Sequence, residues 1–398
     1  MAKNTHLEHL EDDIFNQGFV GAKNSIEFLK SLRDMLSTGS GGSATKVTVK
    51  WDGAPAIICG VDPVLNLFFV GTKSVFAKTE PKPCYTNADV DRYYPNHPIA
   101  DKLKQCLKLL PDTGITGVVQ GDLLYTSTPP KVKMGGKVCY KFKPNTITYC
   151  VEAATELGKK VAVSDLGIVF HTRYTGPSLP EMNASFGVDV SKMQSNKKVA
   201  VFSATFQNTN GVANLSAAER NRLNNSINVA QRNLVAGKSF LNAIQEGKGS
   251  FAYTALFKIY FNQVIKSGRI PTNAAAMHRG FLSFVDMRYK AEIAKKKTDK
   301  ARQQWEDRRA DAIKYLNNNK SVMFSALSGF KNLIAAKEQV INKLKKIQGV
   351  GTFLEDENGY RVTSPEGFVA IKDGTAMKLV DRLEFSRANF TVAKDWGK

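Results

Sequence analysis

The sequence predicts an α+β protein, in which a large helical segment is inserted into a sheet domain. Short segments from 46 to 178, and again from 360 to 382, alternate apolar and polar residues with the period of two that is typical of strands. From about 181 to 350 the apolar residues instead recur with helical spacing. We therefore expect residues 1–180 and 351–398 to form one domain around a helical insertion at 181–350.

The N-terminal part of the chain predicts two helices, followed by a strand that carries a lysine near its end. Apolar stripes indicate the helices within residues 4–37, and a glycine- and serine-rich segment follows them. Apolar and polar residues then alternate from Val47 to Trp51, and Asp52-Gly53 is a turn signal. Lys50 can act as a nucleophile if desolvation or a neighbouring cation favours its neutral amine. The alternative is a solvated lysine on an edge strand.

Three further segments carry side chains that could belong to a site. Lys73 follows a pair of apolar strands, and its alternative is an ordinary loop lysine. Residues 117–125 predict an apolar strand with a single acid, Asp122, which could also be a simple strand-end aspartate. Residues 165–174 predict another apolar strand, which contains Phe170.

The helical segment carries nearly all of the excess positive charge. It contains 28 Lys and Arg residues against 11 Asp and Glu residues, whereas the whole chain has a net charge of +20. Such asymmetry favours a polyanionic partner, by default nucleic acid, although a solvated basic face is the alternative. A predicted helix at 272–316 holds the cations expected to contact phosphates: Lys295, Lys296, Lys297, Lys300, Arg302, Arg308 and Arg309.

Composition excludes several other classes of protein. A hydrophobic content of 42% and an aromatic content of 10% describe a globular chain, and 398 residues suffice for two cores. No apolar run is long enough for a membrane span, and no signal-peptide core is present, so we expect a cytoplasmic monomer that does not enter membranes. The five cysteines are widely spaced and include no CxxC pair. We expect them to be reduced thiols and expect no structural metal site.

Lys50-Trp51-Asp52-Gly53 resembles the K-x-D-G signature of the covalent nucleotidyltransferases, which comprise ATP-dependent DNA ligases, RNA ligases and mRNA capping enzymes. Four further motifs of that superfamily have counterparts here in the same order. They are Asp122 where G-E-L is common, Phe170, Glu366-Gly367 in an E-G-x-V pattern, and Lys378 in place of K-x-K, whose first lysine is Ala376 here. The helical segment lies outside this resemblance.

The resemblance implies a role for each matched residue. Lys50 would attack the α-phosphate of a nucleotide, with Asp52 and Lys378 taking part in catalysis. Asp122 and Glu366 would hold Mg²⁺ or Mn²⁺, for which hard carboxylate oxygens are suited. The residues expected to bind the nucleotide are Thr48, Gly53, Lys73, Asp122, Phe170, Glu366, Gly367 and Lys378.

The resemblance further implies a ligase-type adenylation domain with an antiparallel sheet. Only about 20 residues follow Lys378, so we expect no C-terminal OB domain, and a phage-type RNA ligase is the closest match in appearance. The expected activity is ATP-dependent joining of 5′-phosphate and 3′-hydroxyl ends, on RNA in preference to DNA, in the cytoplasm of a phage-infected bacterium.

Two alternatives stay open. The departures at Asp122, Lys73 and Ala376 favour a non-catalytic nucleic-acid-binding protein on the same fold. A DNA ligase, or a capping-type guanylyltransferase that prefers GTP, is the other alternative.

Overall fold

The computed structural model describes the chain from residue 8 to residue 382, with gaps. The described ranges are 8–38, 46–134, 137–193, 196–204, 214–246, 249, 251–269, 271, 273–345, 351–356, 359–362, 367–372 and 375–382. The predicted metal ligand Glu366 lies outside them.

Helices and mostly antiparallel strands make up the described chain, which confirms the predicted α+β class. The strands are β1 (Glu8–His9), β2 (Lys46–Lys50), β3 (Ala56–Val61), β4 (Phe68–Gly71), β5 (Val118–Tyr125), β6 (Lys131–Met134), β7 (Lys137–Phe142), β8 (Thr148–Glu152), β9 (Leu166–Thr175), β10 (Asn183–Phe186), β11 (Val199–Ser203), β12 (Gly351–Asp356), β13 (Gly359–Val362), β14 (Gly367–Lys372) and β15 (Thr375–Leu379). The helices are α1 (Asp13–Asn16), α2 (Gly18–Thr38), α3 (Asn87–Tyr93), α4 (Ala100–Leu109), α5 (Glu156–Val163), α6 (Ala217–Ala236), α7 (Lys238–Ala243), α8 (Tyr253–Ser267), α9 (Ala274–Ile293), α10 (Asp299–Asn318) and α11 (Lys320–Leu344).

The chain divides into two compact units whose boundaries differ from the predicted ones. The sheet unit comprises Met1–Leu7, Lys46–Thr209 and Lys345–Met377. The helical unit comprises Glu8–Thr45, Asn210–Leu344 and Lys378–Lys398. Compared with the predicted domains, residues 8–45 and 378–398 fall in the helical unit, and residues 181–209 and 345–350 fall in the sheet unit.

Packing explains two of these differences between the predicted domains and the observed units. The N-terminal helices join the helical unit because the ring of Phe15 stacks 4.8 Å from that of Phe257 and lies 5.2 Å from that of Phe330. Residues 181–209 join the sheet unit because they contain β10 and β11, and both strands pair with β9. These contacts join residues that are far apart in sequence, so local periodicity did not reveal them.

The largest sheet of the sheet unit has the order β10-β9-β5-β3-β4, with β11 added parallel to β9. One face packs on α3 and α4 through apolar side chains such as Ile57, Leu103 and Phe170. Ile58, Val118 and Tyr174 form part of a second, smaller cluster. The alternation of buried side chains along β3 and β5 separates these two clusters onto opposite faces.

A second sheet has the order β13-β12-β8-β7-β6, and β14 pairs antiparallel with β2. Cys139 of β7 and Cys150 of β8 form a disulfide, with Cα atoms 5.7 Å apart. The expectation of five reduced thiols is wrong for this pair, because the β7–β8 hairpin brings the two side chains together. Cys59, Cys84 and Cys106 are free and buried.

In the helical unit the predicted helix at 272–316 is two helices, α9 and α10. Thr298 begins the second one, since its hydroxyl accepts a hydrogen bond from the backbone N–H of Ala301 at 3.3 Å. The Lys295–Lys297 run therefore lies at the break and not on a helix face. Within the described residues, no helix has the length and apolar character needed to cross a membrane.

Candidate functional site

The sheet unit contains a cavity of about 170 Å³. Its walls come from β2, β5, β9, β10, β14 and the residue after β11. The lining side chains are Val49, Lys50, Trp51, Gln120, Asp122, Val169, His171, Phe186, Ala204 and Val369. Most of these residues are apolar, and a few polar groups interrupt them, which is typical of small-molecule sites.

Lys50 is half-buried at the C-terminal end of β2, as the alternation predicted. Gly367 of β14 pairs with it directly, so the predicted E-G-x-V segment and the lysine are neighbours in one ladder. The backbone N–H of Val49 donates to the carbonyl of Ala204 at 2.7 Å. The next residue, Trp51, packs its ring 4.8 Å from that of Tyr149. The residues on both sides of Lys50 are thus held in place by contacts with other strands.

Asp52 does not line the cavity. Its carboxylate is buried and accepts hydrogen bonds from the Asn145 side chain at 2.8 Å and from the backbone N–H groups of Thr146 and Ile147 at 2.6 and 2.8 Å. Both oxygens of Asp52, which is predicted to take part in catalysis, bind the turn between β7 and β8. Its effect on Lys50 is one of positioning.

Gly53 and Asp122 are in close contact. A Cβ atom placed on Gly53 would lie 2.5 Å from the Cβ of Asp122, so only glycine fits here without a shift. The backbone N–H of Ala54 donates to the carbonyl of Leu123 at 2.9 Å. The turn after Lys50 therefore rests directly on the strand that carries the predicted acid.

A β-bulge in β9 brings His171 next to Asp122. Gln120 pairs with Thr172, whereas Gly121 pairs with Phe170, so His171 is an extra residue in the strand. Its Nε2 lies 3.5 Å from Oδ2 of Asp122, and its Nδ1 shares a 2.7 Å hydrogen bond with the Thr172 hydroxyl. An imidazole and a carboxylate therefore stand side by side in the cavity wall.

The bulge also changes the side of the sheet on which Tyr174 lies. Before it, Ile168 and Phe170 point into the core under α3 and α4, and regular alternation would send Tyr174 there too. Instead Tyr174 lies on the opposite face, where its hydroxyl donates to Oε1 of Gln120 at 2.7 Å. Gln120 lines the cavity and is two residues from Asp122.

Phe170, which is predicted to bind the nucleotide, does not line this cavity. Its side chain is fully buried in the core on the other face of β9. The cavity is lined instead by its neighbours, Val169 and His171. Asp122 pairs with Val169, and directly paired residues lie on the same face of a sheet. The pairing register of β5 and β9 was therefore needed to predict which residue of β9 lines the cavity.

The remaining predicted residues fall in several places. Lys73 is exposed in a 3₁₀ helix over Lys73–Phe76 and does not line the cavity. The backbone of Thr48 pairs with Val369. Lys378 is half-buried in β15 and belongs to the helical unit. Burial there lowers the pKa of His9, and the charge of Lys378 lowers it further.

Gln120, His171 and Tyr174 were not predicted as functional residues. Gln120 could have been found, because alternation places it on the face of Asp122. His171 and Tyr174 lie in the strand predicted at 165–174. The sequence could not predict which face Tyr174 occupies, because no local pattern indicates the bulge.

The predicted basic surface is largely neutralised by acids. Lys295 and Lys296 pair with Glu292 at 3.2 and 2.5 Å. Arg302 pairs with Asp299, and Arg309 pairs with Asp286 and Glu306. Lys297, Lys300 and Arg308 are exposed, and in the described part of the chain they form no ion pair.

The described residues contain no group of three or more His, Cys, Asp or Glu side chains that could hold a metal ion. Asp122 offers one carboxylate to the cavity, and Glu366 lies outside the described ranges. Mg²⁺ is commonly held by one or two carboxylates together with substrate phosphates. Among the described lining residues, Asp122 supplies the one carboxylate that could contact a cation in the cavity.

Comparison with known proteins gives a family and no function. No curated protein matches the chain, and no solved structure matches it. Residues 4–394 match a family that is described as a family of unknown function (DUF6267). Because this match extends over far more than half of the sequence, the chain belongs to the family DUF6267.

Proposed function

We propose that this protein is a covalent nucleotidyltransferase that attaches a nucleotide to Lys50 and passes it to a nucleic-acid end. One observation carries the proposal. Lys50, Asp122, Val169 and Val369 come from four sequence motifs that are widely separated along the chain, and all four line one cavity. A chance match of short motifs gives no reason for such convergence.

The first step forms a bond between lysine and phosphorus. The neutral Nζ of Lys50 attacks the α-phosphorus of ATP and forms a phosphoramidate (P–N) bond. At the same time the bond from the α-phosphorus to the bridging oxygen of pyrophosphate breaks. Pyrophosphate leaves, and the nitrogen releases a proton to solvent. Lys50 lies in the cavity wall at the end of a strand, which suits a nucleophile that must be aligned with the phosphorus.

The other groups of the cavity position the reactants. Asp122 stands beside the turn that follows Lys50 and, with His171, can accept or donate hydrogen bonds at the ribose. A bound Mg²⁺ would offset negative charge on the phosphates, with Asp122 as its protein carboxylate. Asp52 and Trp51 keep the end of β2 rigid, which preserves the alignment of Nζ with the phosphorus.

In the second stage a 5′-phosphate oxygen attacks the lysyl-AMP phosphorus and frees Lys50. A 3′-hydroxyl then attacks the activated 5′-phosphorus, and AMP leaves. The excess positive charge at 181–350 favours a nucleic-acid acceptor. As the resemblance implies, we propose RNA in preference to DNA.

Intact-mass measurement after incubation with ATP and Mg²⁺ tests the first step. The wild type should gain one AMP, whereas Lys50→Ala and Lys50→Arg should gain none. Lys78→Ala, at an exposed lysine of the same unit, is the matched control and should react like the wild type. Absence of an adduct with ATP, GTP and NAD would contradict the proposal.

Labelled 5′-phosphorylated RNA and DNA strands test the second stage. A sealed product that depends on Lys50 should form with RNA at a higher rate than with DNA. Adduct formation with GTP alone, together with transfer to a 5′-diphosphate end, would instead identify a capping-type enzyme. Salt-sensitive nucleic-acid binding without any adduct would support a non-catalytic binding protein.

A further inference from the structure

Gln120 is a buried amide with one half of its hydrogen-bonding capacity unused. Its side chain lines the cavity, and the residue is only 9% exposed. The Tyr174 hydroxyl donates to its Oε1 at 2.7 Å. Within the described part of the chain its Nε2 makes no hydrogen bond to protein, and it is not one of the fully buried polar atoms, so it is open to the cavity. An amide N–H that faces a cavity bonds to water or to a ligand, so Gln120 can donate a hydrogen bond to a molecule that binds there.

Tyr174 fixes the direction in which this amide points. A phenolic O–H that donates to Oε1 holds the oxygen on its own side and leaves the NH₂ group for the cavity. Burial raises the pKa of Tyr174 to about 12, so the hydroxyl keeps its proton near neutral pH. The wall therefore offers a hydrogen-bond donor to the ligand at this point.

Gln120 is a poor partner for a phosphate. Most of the cavity lining is apolar, including Val169, Phe186 and Val369, and a single neutral donor does not compensate for the desolvation of a phosphate. A flat heteroaromatic ring meets both conditions, because its faces can contact apolar side chains while a ring nitrogen accepts one hydrogen bond.

The spacing along β5 agrees with a nucleoside that extends from Lys50. Asp122 contacts the turn after Lys50, and Gln120 is two residues further along the strand. Two residues of an antiparallel strand span about 6.8 Å. Phosphate and ribose near Lys50 and Asp122 would thus place the base beside Gln120.

We propose that the amide nitrogen of Gln120, oriented by Tyr174, donates a hydrogen bond to a ring nitrogen of the purine base. Gln120 is then a specificity-determining residue and Tyr174 is its positioning residue. This inference rests on the proposed function only in taking the ligand to be a purine nucleotide. Neither residue belongs to the motifs that suggested nucleotidyl transfer.

The test is a chemical double-mutant cycle between protein and ligand. Calorimetry on the full chain measures the Kd of ATP and of its 1-deaza, 3-deaza and 7-deaza analogues, each of which lacks one ring nitrogen. The Lys50→Met background prevents turnover. One analogue should bind about three- to tenfold more weakly than ATP, which is the usual worth of one hydrogen bond.

Gln120→Met should remove that difference, because the donor is gone and the ring nitrogen no longer matters. The double variant Gln120→Met/Tyr174→Phe avoids an unpaired hydroxyl and should behave alike. Tyr174→Phe alone keeps the amide but frees its rotation, so the penalty for the critical analogue should shrink without disappearing. This variant keeps the test decisive if Gln120→Met does not fold.

Two results would overturn the inference. All analogues could bind as tightly as ATP, or the same penalty could persist in Gln120→Met. Nucleotide binding with the expected pattern, but no adduct in the mass measurement, would overturn the proposed transfer and support the base contact. An adduct without any analogue effect would do the reverse, and failure of ATP and GTP to bind would overturn both.

Discussion

At the scale of single residues, Asp52 belongs to the K-x-D-G motif, but its carboxylate is bound inside the protein and does not line the cavity. It follows the predicted nucleophile by two positions, yet its carboxylate binds two backbone N–H groups and the Asn145 side chain. Charge-assisted hydrogen bonds of this kind are stronger than neutral ones. The turn at 145–147 and the end of β2 are thereby joined into one rigid piece.

We expect Asp52→Ala to lower the free energy of unfolding by about 1–3 kcal/mol, because buried N–H groups lose their acceptor. Asp52→Asn should cost less, since it keeps one acceptor oxygen. Urea unfolding checks both values against Asp101→Ala, an exposed aspartate of the same unit that should have little effect. An Asp52→Ala protein as stable as the wild type would show that the turn does not need this carboxylate.

At the scale of elements, a buried ion-pair cluster joins α11 to the segment before α1 in the helical unit. Nζ of Lys337 lies 2.7 Å from Oε1 of Glu11, and neither side chain is more than 2% exposed. Nη1 of Arg382 lies 2.8 Å from Oδ1 of Asp12. A buried pair is costly to break, because the remaining charge then has no compensation.

Lys337→Met should lower the free energy of unfolding by about 3 kcal/mol, because the buried Glu11 keeps only Arg382, whose Nη1 lies 3.7 Å from its Oε1, as a compensating charge. Glu11→Gln/Lys337→Met should recover part of this loss. Chemical denaturation measures both, with the exposed Lys314→Met as the control on a neighbouring helix. A double variant no more stable than Lys337→Met would contradict this account.

The same cluster makes stability depend on pH. Burial raises the pKa of Glu11, but the charges of Lys337, His9 and Arg382 lower it more, from 4.5 to about 2. A lowered acid pKa means that its contribution is present above pH 4.5 and is lost as the pH falls toward 2. Burial raises the pKa of Asp12 from 3.8 to about 6. The stability that its protonated form contributes is therefore present below pH 3.8 and is lost as the pH rises through 6.

Between pH 4.5 and 2 the wild type should therefore lose about 3 kcal/mol more free energy of unfolding than Glu11→Gln. Urea unfolding of both proteins at several pH values in that window measures the difference. Asp12 is present in both, so its opposite trend largely cancels. Parallel pH profiles would show that Glu11 is not stabilised as a carboxylate.

At the scale of the whole molecule, the positive charge is spread over the helical unit and not concentrated on one helix. α10 carries five Lys and Arg residues but also four Asp and Glu residues. Four of the seven predicted phosphate contacts are paired with these or neighbouring acids. Only the exposed and unpaired cations among them are expected to release counterions on binding nucleic acid.

If Lys297, Lys300 and Arg308 bind phosphates, replacing all three by Ala should reduce the slope of log affinity against log salt by about 2 for single strands. Titration of labelled RNA at several salt concentrations measures this slope. The control replaces Lys108, Lys131 and Lys133, three exposed lysines of the sheet unit. Equal slopes in both variants would place the nucleic acid elsewhere.

Local sequence determined much of the fold and the centre of the candidate site. Alternation predicted β2, β5 and β9 to within a residue or two, because a strand with one buried face must repeat every second residue. It also predicted Lys50 at a strand end. Lys50 and Asp122 both line the cavity, and their chemical roles stay predictions.

Tertiary structure alone decided which face each strand turns to the cavity and what each charge meets. Strand pairing turned Phe170 into the core, and the β-bulge at His171 then brought Tyr174 to Gln120, although no local pattern signals the inserted residue. The unit boundaries likewise depend on contacts between segments that are distant in sequence. The pairing of Arg309 with Asp286 also joins two different helices. Periodicity reports whether a residue is buried, whereas register and pairing depend on the partner that buries it.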